Sequence, residues 1–303
     1  MHVKQNAMLM KLYKQIVSGV LKMATLISPV LNTKLRYRIV HKKKLNLNPP
    51  KTFDEKLLWL KLYRYAHDPL VIQCADKYLV RNYVRSCGYE DILVNLIGVW
   101  DSADEIPWDV LPEKFVLKWN FGAGMNIICK DKRNLDQQEV VKKMHDWGKK
   151  KCWLGHSEIH YKYIPKKIVC EEFLVGGDGD DIPDYKIYCF HGEPKAILVM
   201  HDRFKEKMNT EFFDVNWNQL ENSTKYGISD TRTSKPACLD RLLEIAAVLS
   251  KPFPFVRCDF YVIGNQIYFG ELTFTPAGGL YTSQTQINGK DMTESLYIEG
   301  NKK

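Results

Sequence analysis

The sequence predicts an α+β fold of packed subdomains, and three observations carry that expectation. Amphipathic helical patterns come first, strands mixed with one helix follow, and a helix ahead of a long hairpin closes the legible part. Such an order fits neither a helical bundle nor a sandwich. The 303 residues suffice for one large or two ordinary domains with a substantial core. The formal charge of +8 is local: residues 1 to 53 hold eleven Lys or Arg and no Asp or Glu, so the remainder is slightly acidic.

That basic end places Met8, Leu9, Leu12, Ile16, Val20, Leu21 and Met23 at helical spacing and interrupts them with Lys11, Lys14 and Lys22. The lysines argue against a membrane span or secretory signal. Two readings of residues 1–45 stand level. One is a helix on an anionic membrane surface, with Arg36, Arg38 and Lys42 to Lys44 adding attraction. The other is an amphipathic helix docked on the protein's own core. The stretch has no nucleic-acid-reading motif, so no nucleic acid is expected. Eight cysteines without a CxxC pair point to reduced thiols in a cytoplasm and to no structural zinc.

Further on, Thr52 and Glu55 are spaced as a capping box ahead of an apolar stripe, and Asp68, Pro69 and Gly88 bracket a second helix. "ILVNLIGVW" reads as a buried strand, and "FVLKWNFGAGMNIICKD" as two strands around a glycine turn. "NLDQQEVVKKMHDWGKKKC" is helical, "KKIVCEEFLVG" a strand, and "DYKIYCFHGEPKAILVMHDRF" a hairpin turning at His191 and Gly192. "CLDRLLEIAAVLSK" is a helix ahead of the closing hairpin.

That hairpin, "FVRCDFYVIGNQIYFGELTFTP", raises a chemical question, because unpaired buried charge costs several kcal/mol yet Arg257, Asp259 and Glu271 stand among apolar neighbours. A two-residue loop at Gly264 and Asn265 would put Asp259 and Glu271 on opposite faces. A three-residue loop ending at Gln266 would set Asp259 against Glu271 and Arg257 against Thr273, and this register is the one expected. Opposed carboxylates repel unless a cation lies between them, and magnesium suits an all-oxygen site. A structural salt bridge of Arg257 with either carboxylate is the alternative.

Lys118 precedes Gly122 and Gly124, a lysine able to meet phosphate beside glycines that let backbone approach it. The stretch is neither a Walker loop nor a dinucleotide fingerprint. Glu171 and Glu172 end one strand, while Asp184 and Lys186 begin another. His156 and His160 have i, i+4 spacing without an HExxH glutamate, and Asp178 to Asp181 lack the rest of an EF-hand, so neither is taken as a metal site.

Taken in order, "ADKYLVRNYV", "LVNLIGVWDSADEI", "LPEKFVLKWNFGAGMNIICKDK", "VCEEFL", "PDYKIYCFHGEPKAILV", "DRF" and "FPFVRCDFYVIGNQIYFGELTFTPAGG" closely resemble the TupA-like ATP-grasp family, associated with teichuronopeptide and other surface-polysaccharide biosynthesis. The resemblance covers roughly residues 46 to 280 and implies two α+β subdomains clamping ATP behind a helical N-terminal extension. It implies that Lys118 and Lys186 bind phosphates and that the Gly122 to Gly124 loop covers them. Glu171 with the Glu172, Phe173 and Leu174 backbone would form the adenine hinge, with Asp184 on the ribose side. Arg203 and Arg257, with Lys186, would steady the transferring phosphoryl group, and Asp259 and Glu271 would hold magnesium, as two ions. Where many ATP-grasp enzymes place an asparagine as third ligand, this chain has Thr273.

These implications divide the chain into a basic segment at 1–45, a helical pre-grasp region at 46–108, a lid subdomain at 109–175 and a catalytic subdomain at 176–303. The expected activity is an ADP-forming carboxylate–amine ligase of capsule, O-antigen or cell-wall synthesis. Its substrates would be a carboxylate-bearing sugar or polysaccharide precursor and an amine, and its location the cytoplasm, with the inner membrane face as one option. A glycosyltransferase or phosphotransferase of the same pathway, and a non-catalytic nucleotide-binding module, are the competing classes.

Overall fold

Two helices, α1 (His2–Ile27) and α2 (Pro29–His41), open the chain and break at Ser28. The Ser28 hydroxyl accepts from the Leu31 N–H, and Pro29 occupies the first turn, where a missing N–H costs nothing. The computed structural model describes residues 2–176, 182–201, 209–220, 233–280, 286–287 and 290–298.

The Thr52–Glu55 capping box forms as the sequence predicts and starts α3 (Phe53–Trp59), which continues into a π-helical turn at Leu60–Arg64. Tyr65 then donates its hydroxyl to the Phe255 carbonyl at 2.8 Å, tying this turn to the closing hairpin. Asp68 caps α4 (Pro69–Ala75), but the helix expected to run on to Gly88 breaks at Asp76. The Asp76 carboxylate accepts from the Tyr78 and Leu79 N–H groups, and α5 (Val80–Ser86) resumes beyond it.

Strands β1 (Leu96–Trp100), β2 (Phe115–Trp119), β3 (Asn126–Cys129) and β4 (Ile168–Glu172) form an antiparallel sheet in the order β1-β4-β2-β3. Strand β1 thus joins this sheet although it precedes residue 109. Helices α6 (Gln137–Gly148) and α7 (Trp153–His156) lie between β3 and β4 in the chain.

The second sheet holds β5 (Asp184–Phe190), β6 (Glu193–His201), β7 (Asn209–Asp214), β8 (Phe255–Ile263) and β9 (Gln266–Thr273), in the order β7-β6-β5-β8-β9. Helix α8 (Leu239–Ser250) buries Leu242, Ile245, Ala246 and Leu249 against β5, β6 and β8. One continuous core includes these residues, Ile187, Phe255 and Phe260 of the second sheet, and Phe115, Leu117 and Ile168 of the first. Each such side chain contributes about 1.5–3 kcal/mol by leaving water. A short ribbon, β10 (Gln286–Ile287) with β11 (Lys290–Asp291), and α9 (Met292–Ser295) follow.

The register of β8 and β9 decides the site, and it arises differently from the sequence expectation. The turn is the two-residue one: Ile263 pairs with Gln266 across Gly264 and Asn265, with Gly264 at φ +59. By itself that turn would separate Asp259 from Glu271. A β-bulge between Asp259 and Phe260 restores the pairing, because Phe260 faces Phe269 while Asp259 faces Glu271, leaving Gly270 as the extra residue. A Cβ on Gly270 would lie 2.9 Å from the Asp259 carbonyl oxygen, so the bulge calls for glycine.

Candidate active site

Alternation along three neighbouring strands builds the first half of the site. Lys186 on β5 pairs with Asp259 on β8, and Asp259 with Glu271 on β9, so the three side chains line up across one face. The next rung pairs Arg257 with Thr273. Lys186 Nζ lies 2.6 Å from Asp259 Oδ2 and 2.7 Å from Asp184 Oδ2. Arg257 grips the same carboxylate as a fork, with Nε to Oδ1 and Nη2 to Oδ2 both at 2.7 Å. Its Nη2 also donates to Thr273 Oγ1 at 3.1 Å, and that hydroxyl donates to Glu271 Oε1 at 3.2 Å.

Burial pushes the Asp259 carboxyl up, but Arg257 and Lys186 outweigh it and hold the group below its ordinary value. Asp184, Lys186 and Asp259 are almost closed to solvent, whereas the Glu271 side chain is 40% exposed. Within this sheet three carboxylates face two cations, and Glu271 is the most exposed of the five.

The first sheet makes the other half. Glu171 on β4 faces Val116 on β2, which places Lys118, two residues on, diagonally beside it on the same face. Lys118 Nζ contacts Glu171 Oε2, and Arg81 Nη1 reaches Oε1 at 3.3 Å while its Nη2 donates to the Val94 carbonyl at 2.8 Å. Two cations therefore share one buried carboxylate. Glu172 is exposed, and its N–H donates to the Asn95 carbonyl at 3.0 Å; Phe173 and Leu174 follow, half-buried. Gly122 and Gly124 hold φ of +67 and +71 in the turn between β2 and β3, a conformation that favours glycine.

Lys77 joins the halves, and sequence reasoning missed it. The break at Asp76 sets its backbone N–H on the Asn120 carbonyl at 2.9 Å. Its Nζ donates to the Gly122 carbonyl at 2.6 Å and stands 3.9 Å from Glu271 Oε2. Burial lowers the Lys77 pKa, Glu271 raises it, and Lys118 lowers it again. The only sequence signal was its place in "ADKYLVRNYV", where a helical lysine reads as solvated. Arg81, from the same stretch, was missed likewise.

Lys186, Arg257, Asp259, Glu271 and Thr273 are thus brought together with Asp184, and Lys118 with Glu171. Arg203 lies outside the described residues, as do Asp178 to Asp181. His156 and His160 are not joined by a third ligand: among the described residues no group of three or more His, Cys, Asp or Glu is placed to hold a metal. Burial first, then Arg36 and Lys61 for His156 and Lys61 for His160, lower these imidazoles to about 4 and about 3.

The donor set at β8 and β9 suits a hard cation in kind: two opposed carboxylates and a hydroxyl, all oxygen. Glu271 presents the accessible oxygens, while Asp259 is engaged by Arg257 and Lys186. The salt bridge weighed against magnesium in the sequence is therefore formed with Asp259, and it leaves Glu271 with only long ion pairs, to Arg257 at 4.0 Å and Lys77 at 3.9 Å, beside its hydrogen bond from Thr273.

Two antiparallel sheets whose charged faces are joined through a half-buried lysine form the clamp of an ATP-grasp protein. The family model described as "TupA-like ATPgrasp" matches residues 55–292, and the chain belongs to that family. It carries the ATP-grasp fold of that family, which implies ATP binding. A search of curated proteins returns no match. Solved structures similar to it include the D-alanine–D-alanine ligase of Bacillus anthracis complexed with ATP, at 12% identity and TM-score 0.41, covering 67% of this chain and 55% of that one. The L-amino acid ligase of Bacillus licheniformis matches at 12% identity and TM-score 0.42, covering 75% and 48%. The ADP complex of purK, an N5-carboxyaminoimidazole ribonucleotide synthetase, matches at 13% identity and TM-score 0.43, covering 72% and 49%. The chain thus spans about half the length of these proteins, and at such distance they carry nothing about its activity.

Proposed function

We propose that this chain is an ATP- and magnesium-dependent carboxylate–amine ligase that works through an acylphosphate. Its acceptor would be a uronic acid of a cell-surface polysaccharide or its precursor, amidated in the cytoplasm by an amino acid or another amine. The observation that carries the reading is the sorting of charge: two cations on one carboxylate at the first sheet, three carboxylates around two cations at the second. A surplus of positive charge suits phosphate oxygens, and a surplus of carboxylate suits a cation that accompanies them.

In this reading Lys118 and Lys77 meet phosphate oxygens under the Gly122 to Gly124 turn, with Arg81 and Glu171 fixing the Lys118 ammonium. The Glu172 to Leu174 backbone takes the adenine edge, and Asp184 serves by orienting Lys186 as well as on the ribose side. Glu271, Asp259 and Thr273 would hold magnesium, which supplies charge neutralisation of the polyphosphate when bound. A carboxylate oxygen of the acceptor attacks the γ-phosphorus, and the bond to the ADP oxygen breaks. The amine nitrogen then attacks the acyl carbon, phosphate leaves, and the nitrogen gives up its proton. Arg257, Lys186 and Arg203 would stabilise the charge on the transferring group, and held in place they cost no reorganisation at that moment.

ADP release from magnesium-ATP, measured over uronic-acid acceptors and a pool of amino acids with Glu271→Gln as control, tests the proposal. Acceptor-dependent ADP that the control abolishes is expected. AMP as the product, or ADP release unchanged in the control, would overturn it.

A further inference from the structure

Among the described residues, helix α1 packs along one side on α2 and α7. Leu21, Ala24 and Thr25 are buried where it meets α7, and Thr25 Oγ1 lies 3.0 Å from Ser157 Oγ and donates to the Leu154 carbonyl at 2.9 Å. Asn32 Nδ2 on α2 donates to the same Thr25 oxygen at 2.7 Å, locking the pair of helices in place.

From Leu9 onward, a different side of α1 is covered by nothing among the described residues. Leu9, Leu12, Ile16, Val20, Met23 and Ile27 succeed one another at steps of three or four residues, which stacks them on one face. All six are more than half exposed, from 52% at Leu12 to 76% at Ile27. At 1.5 Å per residue the row is about 27 Å long. Single exposed apolar side chains are ordinary, but a continuous row of this length marks an interaction surface. Lys14 and Lys22 are exposed and fall outside the row.

We propose that this face seats on an anionic lipid bilayer, lying in its interface and holding the catalytic body at the membrane. Charge selects that occupant. The segment up to residue 53 carries eleven Lys or Arg and no acid, so its cations call for a negatively charged partner. A second copy of the chain would bring two such segments together and set like charge against like. Anionic headgroups above acyl chains satisfy both features at once, apolar row below and ammonium groups at headgroup level. Crossing is not implied, because no helix among the described residues is long and apolar enough to span a membrane. The docked side of α1, pinned by Thr25 and Asn32, transmits the attachment to the body.

The test is co-sedimentation of the full chain with phosphatidylcholine vesicles with and without phosphatidylglycerol, at low and high salt. Binding is expected only with phosphatidylglycerol, weakening about tenfold or more as salt rises. A triple variant, Leu12→Glu with Ile16→Glu and Val20→Glu, should lose binding while circular dichroism and Tm stay unchanged, since all three side chains are exposed. Lys14→Glu with Lys22→Glu and Lys34→Glu should lose it as well. Equal binding to neutral vesicles, or a correctly folded triple variant that still pellets, would overturn the proposal. So would a wild-type chain that ignores vesicles but forms a dimer which the triple variant dissociates.

Discussion

The two sheets handle buried charge in opposite ways. At the second, Asp259 is enclosed by an arginine fork and a lysine, and a third carboxylate, Glu271, is left facing outward. At the first, Glu171 is the seat, and the cations are in surplus. The contrast teaches that an ion pair inside a site can be scaffold rather than function: the enclosed carboxylates orient the charges left over, and those are the ones available to a ligand.

Breaking the scaffold should cost most. Asp259→Ala leaves Arg257 without its fork partner and Lys186 with Asp184 alone, both shielded from water, and should destabilise by about 3–5 kcal/mol in urea unfolding. Gly270→Ala comes next: its Cβ would press on the Asp259 carbonyl, and repacking the bulge should cost about 1–3 kcal/mol and weaken magnesium-ATP binding. The same chain with Glu271→Gln should unfold within about 1 kcal/mol of wild type, because that side chain is partly exposed, its ion pairs with Lys77 and Arg257 are long, at 3.9 and 4.0 Å, and the amide oxygen can still accept from Thr273. Scaffold and ligand roles would merge if the three variants lost stability equally.

Acid provides a smaller effect that sharpens the same contrast. The folded-state values of His156 and His160, about 4 and about 3, lie below the ordinary 6.5, so the unfolded chain binds more protons between those limits. Stability from these two is complete above pH 6.5 and falls as pH drops towards 4. Asp259 is also depressed, so its contribution is present above pH 3.8 and disappears only at more acid pH. Unfolding free energies across pH 7 to 4.5 should therefore slope in wild type, less in His160→Phe, and unchanged in Asp259→Asn. A slope that Asp259→Asn removed would reverse the assignment.

Much of this arrangement was legible in the sequence, and the exceptions have physical reasons. Alternation put Asp259, Glu271, Arg257 and Thr273 on shared rungs, but it assigned the shift to a longer turn. The bulge depends on a contact between Gly270 and the neighbouring strand's backbone, which periodicity does not record. Apolar spacing ran straight through Asp76, where a carboxylate competes for backbone N–H groups and ends the helix. Lys77 was hidden by that same break. Strand β7 (Asn209–Asp214) was not anticipated, and its pairing with β6 is supplied by the sheet. For residues 1–45 the sequence offered two readings; the structure shows α1 docked through Leu21, Ala24 and Thr25, with its apolar row exposed beside them.

Nucleotide titration calorimetry of wild type, Lys118→Met and Glu271→Gln, each with ATP in the presence and absence of magnesium, tests the sorting of charge most directly. Sorted charge predicts that Lys118→Met weakens ATP under both conditions, by about tenfold or more, since it removes a charge-assisted phosphate contact. Glu271→Gln should bind free ATP like wild type and lose only the gain that magnesium brings. Equal losses in both variants regardless of magnesium, or no loss in either, would contradict a site divided between phosphate and cation.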